Sequence, residues 1–245
     1  MTLSLLSVVA GWGVGGFISG IVGIGGAMFA VPLAALFLPM HDVVLISCIL
    51  NLSMDVGLVA LHWRHCRFRS VPPMLLGAIP GSILGVSVLQ WMPENVLKLV
   101  VGVMLFVFIW WQKVVHVGRG RESWGIAGAA GMVSGVLGSA ISFDGPPVAA
   151  YALYAGWSPR VVLGTLGAYF LARGPVTCFV QWNAGMYTPD ILLHAAWGVP
   201  AAILGTLAAY PVAKRLTTEG FARLMPIILT LGALSCIWEA LKDML

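Results

Sequence analysis

Gly16-Phe17-Ile18-Ser19-Gly20-Ile21-Val22-Gly23 returns 115 positions later as Gly131-Met132-Val133-Ser134-Gly135-Val136-Leu137-Gly138. Glycine and serine hold the same places in both copies, and apolar residues fill the rest. A second echo lies downstream, where Pro80 with Ile83-Leu84-Gly85 is matched by Pro200 with Ile203-Leu204-Gly205. Two copies of one pattern, about half a chain apart, predict a fold made of two repeats.

The chain has 245 residues, of which 60% are hydrophobic and 9% charged, with a mean hydropathy of +0.97. So little polar surface cannot cover a soluble core of that size, so the expected solvent is lipid and the class is a polytopic, all-α membrane protein. The longest polar stretches, His62 to Ser70 and His116 to Ser123, are too short for a soluble domain. The net charge of +4 does not point to nucleic acid, because the basic residues sit in short loops between apolar spans, where they orient a membrane protein. The N-terminal apolar run lacks a basic n-region and is expected to be retained. Cys48, Cys66, Cys178 and Cys236 show no metal-ligand spacing and read as small hydrophobes. No metal or other cofactor is implied.

A helix needs about 20 apolar residues to cross the hydrocarbon core. Apolar stretches of suitable length run near 43–61, 71–92, 96–115, 160–182, 189–213 and 220–241. Two others, about 3–38 and 124–157, are too long for one span and carry glycines at their middles, closed by Pro32 and by Pro146-Pro147. Each is either one long broken helix or a hairpin that turns back. If both cross once, the basic residues divide seven against five; if both are hairpins, they divide ten against two, with Arg173 inside a span. Positive-inside bias therefore prefers hairpins. Each half is then a glycine-broken re-entrant hairpin plus three transmembrane helices. Three crossings is odd, so the second repeat is expected to be inverted. The expected organisation is a first membrane repeat over 1–115, a basic cytoplasmic linker over 116–123 and a second, inverted repeat over 124–245, with both termini periplasmic.

Polar residues inside spans are costly and call for an explanation. Ser47, Asn51 and Asp55 lie four apart on one helical face, and Thr165, Tyr169 and Arg173 repeat that spacing 118 positions later. Asp55 and Arg173 are read either as a structural ion pair between the halves or as part of a site. In the second reading Arg173 binds an anion with its paired donors and Asp55 exchanges a proton. Gly23, Gly25, Gly26, Gly138 and Gly145 lie at the hairpin midpoints. There a turn would expose helix N-termini that attract anions, although glycines also serve close helix packing. Ser19 and Ser134 are candidate hydroxyl donors. Asp144 is read as a cap on the following half-helix or as a second proton-carrying group. Tryptophans 12, 91, 110, 111, 124, 157 and 182 are expected near span ends, and His194 as a satisfied structural histidine.

These residues carry a resemblance. The run from Gly16 to Gly26 with Pro32, and Gly131 to Gly138 followed by Gly145-Pro146-Pro147, resemble the TauE/SafE sulfite-exporter family of membrane anion permeases. The resemblance implies a proton-coupled secondary carrier of the bacterial inner membrane with no nucleotide-binding domain. Its substrates would be small anions such as sulfite, sulfoacetate or related organosulfur and carboxylate anions. Asp144 stands where relatives commonly carry glycine, which puts a negative charge near an anion site. Substrate binding is assigned to Ser19, Gly23, Gly25, Gly26, Ser47, Asn51, Ser134, Gly138, Gly145, Thr165 and Arg173, and proton coupling to Asp55 and Asp144. A passive channel is the alternative, and an intramembrane hydrolase a distant third; assembly as a homo-oligomer stays open.

Overall fold

A computed structural model describes residues 2–22, 25–114, 120–213, 230 and 233–242, and among them there is no strand. The long helices are α1 (Thr2–Val22), α3 (Met40–His62), α4 (Val71–Trp91), α5 (Glu94–Val114), α6 (Trp124–Ile141), α8 (Pro159–Asn183) and α9 (Pro189–Ala213). All seven are long and apolar enough to cross a membrane. Two short helices, α2 (Gly26–Ala34) and α7 (Gly145–Tyr154), have 9 and 10 residues. At 1.5 Å per residue each reaches about 15 Å, half the hydrocarbon thickness. Residues 233–242 are helical as well.

Both over-long apolar stretches are hairpins. Gly11 lies against Ala30 and Gly15 against Gly26, so α2 runs back along α1 towards the end where α1 began. In the second hairpin the Ser134 hydroxyl donates to the Asp144 carbonyl at 2.7 Å. Near its foot the Gly120 N–H donates to the Tyr154 carbonyl at 2.9 Å, so α7 likewise returns to its starting end. The turns differ in chemistry. The first uses Gly25 in the left-handed region, φ 103°. The second puts Ser142 there, φ 58°, a place glycine usually takes at a helix C-terminus. Its backbone N–H reaches Gly138 O and that of Phe143 reaches Leu137 O, which closes the helix end.

Glycines explain how the halves meet. Along α1, Gly13, Gly16 and Gly20 meet Ala201, Ala202 and Thr206 of α9 in turn, so the two helices run parallel. Along α4, Gly77, Gly81 and Gly85 meet Gly128, Met132 and Val136 of α6 in the same parallel sense. In lipid there is no hydrophobic drive between helices, and small residues let backbones approach closely enough for dispersion to act. Each half thus lends its hairpin helix to the other half's second long span, while α3 and α8 pack together between them.

Two side-chain expectations change, because Trp12 and Trp157 are both buried. Trp12 is fully buried against the core rather than at an interface, because mid-helix α1 is enclosed by α2 and α9. Trp91, Trp110, Trp124 and Trp182 are exposed near helix ends, as an aromatic belt requires. His194 is a satisfied structural histidine: Nδ1 lies 2.7 Å from Asp190 O and Nε2 3.3 Å from the Ser4 hydroxyl.

Candidate functional site

A cavity of about 40 Å³ opens where the two hairpin turns meet α3 and α8, room for a few water-sized groups. Ser19, Gly25, Gly26 and Ala27 bound it from the first hairpin and Asp144 from the second. Asn51, Met54 and Asp55 face it from α3, and Phe170 from α8. Asn51 and Asp55 are near the middle of α3, so the cavity lies far from both ends of the bundle.

The two half-helices do not offer the same chemistry. At the start of α2 the N–H groups of Gly26, Ala27 and Met28 precede the first intrahelical bond, from Phe29 N to Gly25 O at 3.3 Å. That end presents free donors and the positive pole of the helix. At α7 the second and third positions are Pro146 and Pro147, which have no N–H. A residue at the N-cap accepts from those two positions, so Asp144 occupies the cap place without making a capping bond. The capping reading is corrected for that reason.

The Asp144 carboxylate instead forms an ion pair with the Arg173 guanidinium. Among the described residues this pair replaces the expected one between Asp55 and Arg173. Arg173 is 5% exposed, its Nη1 donates to Thr177 Oγ1 at 3.2 Å, and its Nε has no partner. Gly138 makes the room: a Cβ there would stand 2.7 Å from the Asp144 Cβ and press on the guanidinium. Asn51 Oδ1 is a second buried polar atom without a partner. The cavity wall therefore gathers two carboxyl groups, a helix N-terminus and an amide, with one guanidinium directly behind Asp144.

The structure brings Ser19, Gly25, Gly26, Asn51, Asp55 and Asp144 to the cavity wall, with Arg173 and Gly138 directly behind Asp144. Gly145 is the buried first residue of α7. Ser134 holds the Asp144 carbonyl, and Ser47 bonds the Ser142 hydroxyl that props the second turn. Gly23 lies outside the described residues. Thr165 is elsewhere: its hydroxyl accepts from the Arg67 N–H at 2.9 Å, at the end of the bundle where α3 finishes. Tyr169 donates to Gly131 O at 3.3 Å, away from the cavity.

Sequence reasoning missed Ser142, Phe170 and the continuation of the α8 face through Thr177 and Gln181. The four-residue spacing from Arg173 was the available signal for those last two. Thr177 also approaches the Ser82 hydroxyl at 3.2 Å and the Ser139 hydroxyl at 3.3 Å. Gln181 Oε1 accepts from the Tyr187 hydroxyl at 2.7 Å.

A separate polar knot closes the end near Thr165. Glu122 accepts from Trp157 Nε1 at 2.8 Å and from the Ser70 hydroxyl at 3.1 Å, and it pairs with Arg67. Burial acts to raise the Glu122 carboxyl, but these donors outweigh it and hold the group below its ordinary value. A depressed acid contributes stability above its unfolded pKa and loses it as pH falls through the folded one. Glu122→Ala should therefore cost about 1–2 kcal/mol at pH 7, mainly by orphaning the buried Trp157 donor, since the exposed ion pair itself adds little. Melting in detergent should show the gap between variant and wild type narrowing below about pH 4 as the charge-assisted part is lost, without vanishing, because the protonated carboxyl still accepts from Trp157. A gap that does not change there would mean the negative charge contributes nothing.

Long apolar helices around a central polar cavity, with two half-length helices beginning at its wall, define a multi-pass membrane transport protein. The chain matches the family described as sulfite exporter TauE/SafE over residues 8–236 and belongs to it. No curated protein and no solved structure matches the chain.

Proposed function

We propose that this protein is an alternating-access secondary carrier that exports small anions across the bacterial inner membrane, coupled to proton movement. Sulfite, sulfoacetate and related organosulfur or carboxylate anions are the substrate class. The observation that carries the reading is Arg173, a buried guanidinium paired with Asp144 on the wall of a cavity that the N-terminal residues of α2, Gly26 and Ala27, also line. A planar guanidinium binds oxyanions through paired donors, and its unpartnered Nε leaves one donor direction open. Asp55 and Asp144 supply carboxylates in the same space for proton coupling.

Two inverted repeats, divided at residues 116–123, support alternating access. The main pairings of long helices, α1 with α9, α4 with α6 and α3 with α8, are kept when α1, α3 and α4 are exchanged for α6, α8 and α9. Because each hairpin returns to its own end, α4 runs opposite to α1; α6 is parallel to α4 and so also opposes α1. Charge bias then puts both termini in the periplasm and the Arg67 to Arg69 loop in the cytoplasm.

A passive channel draws on one observation, the polar face of α8 from Thr165 through Arg173 to Gln181. Those groups are buried and, apart from the Arg173 Nε, bonded to neighbours, which favours a closed site over a standing pore.

Flux into proteoliposomes tests the reading, with sulfite, sulfoacetate and short carboxylates, with and without an imposed pH gradient. The expected result is saturable, gradient-stimulated movement of at least one of them. Rates that rise linearly with concentration and ignore the gradient would replace the carrier with a pore.

A further inference from the structure

Asp144 is the residue whose placement the carrier reading explains least, since an acid at an anion site opposes binding. Three local facts define its position. Prolines at the next two positions after Gly145 remove the N–H groups it would cap. Its backbone carbonyl is held by Ser134, so the residue is anchored while the carboxyl stays on the cavity wall. Its one ionic partner among the described residues is Arg173, which is itself buried and keeps an unpartnered Nε. A carboxylate is the tethered chemical likeness of a small oxyanion.

We propose that the Asp144 carboxylate is a resident counter-anion, occupying on Arg173 the place that a substrate anion takes when Asp144 accepts a proton. This rests on the reading of Arg173 as the substrate's positive charge. In the empty protein the guanidinium is neutralised internally and can be buried without a ligand. For a substrate monoanion to bind, the carboxylate leaves the guanidinium and takes one proton from water on the open side. The anion then becomes the counter-charge, Arg173 stays protonated throughout, and the net charge of the site is the same before and after. One proton therefore enters with each monoanion. Around Asp144 the other titratable groups are Arg173 and Tyr169 on α8 and Asp55 and Cys48 on α3. Of these, Asp55 is a carboxyl that repels an incoming anion when ionised and so reinforces the demand for protons. Gly138 gives Asp144 and Arg173 the room to meet, since a Cβ there would stand 2.7 Å from the Asp144 Cβ and 2.5 Å from Arg173 Nη1.

The test is binding of methanesulfonate, which stays a monoanion from pH 6 to pH 8, to the purified full-length protein by calorimetry. Uptake of one proton on binding should weaken wild-type affinity by about tenfold per pH unit from pH 6 to pH 8. Titrations in two buffers of different ionisation enthalpy should show uptake of about one proton per monoanion. Asp144→Asn should bind at least about tenfold more tightly at pH 8 and lose most of the pH dependence, keeping only what Asp55 contributes. Equal affinity and equal pH dependence in Asp144→Asn would overturn the counter-anion while leaving the carrier intact. If Asp144→Asn does not fold, the wild-type proton count decides alone, and no uptake overturns the proposal. Failure of wild type to bind or move any anion would remove the Arg173 reading itself, and the counter-anion with it.

Discussion

Arg173→Ala should abolish saturable anion flux, and Arg173→Lys should lower it by at least about tenfold. Lysine keeps the charge but loses the planar pair of donors that matches an oxyanion. Alanine also leaves Asp144, partly buried on the cavity wall, without its cation. Orphaning one partner of a fully buried pair costs about 3–5 kcal/mol, and the cost here lies toward or below the low end of that range. Lost flux alone would therefore be ambiguous between a missing ligand and a damaged fold. The double variant Arg173→Ala/Asp144→Ala separates them. Removing both charges should recover the melting temperature to within a few degrees of wild type, yet flux should stay absent. Recovery of full flux in the double variant would make the Arg173–Asp144 pair a packing device and move the site elsewhere.

What could be read in advance, and what could not, has a physical pattern. The hairpins were legible because glycine runs and proline stops are local signals, and because charges in loops record which side each loop occupies. Inference failed where depth mattered. Thr165 and Arg173 share a helical face, but eight residues at 1.5 Å each put them about 12 Å apart along the axis. A common face is not a common site, and Thr165 lies at the helix end against Arg67. The partner of Arg173 was misread for a related reason. Matching the two repeats pointed to Asp55, whereas Asp144 reaches Arg173 only because the hairpin turn carries it to the midpoint of α8. Yet the sequence already excluded a cap at Asp144, since Pro146 and Pro147 have no N–H to offer. Trp12 shows the same limit, for position near a span end does not say whether neighbouring helices enclose it.

Gly131→Ala should prevent assembly of the bundle, an effect larger than that of any loop substitution. An added Cβ at Gly131 would fall on the Met74 carbonyl oxygen, and at Gly135 it would stand 2.6 Å from that of Ala78. Backbone carbonyls cannot rotate aside as a side chain can, so α4 and α6 must separate along their whole parallel contact. Overpacking by one methylene in an adaptable core costs roughly 1–3 kcal/mol; a Cβ at Gly131 that falls on a backbone carbonyl exceeds that. Gly205→Ala should act alike on the α1–α9 contact, where the Cβ meets Gly13. Gly125→Ala is the control, because its Cβ would find only the Ser123 hydroxyl at 3.9 Å. The readout is the monodisperse peak of detergent-extracted protein: near absent for Gly131→Ala and Gly205→Ala, unchanged for Gly125→Ala. A normal peak for Gly131→Ala would mean the helices need not lie so close. The repeated glycine-serine-glycine pattern would then owe its recurrence to the turns and not to packing. Because each half supplies the helix that the other half's glycines receive, failure at either contact should disrupt both hairpins together, and the cavity between them with it.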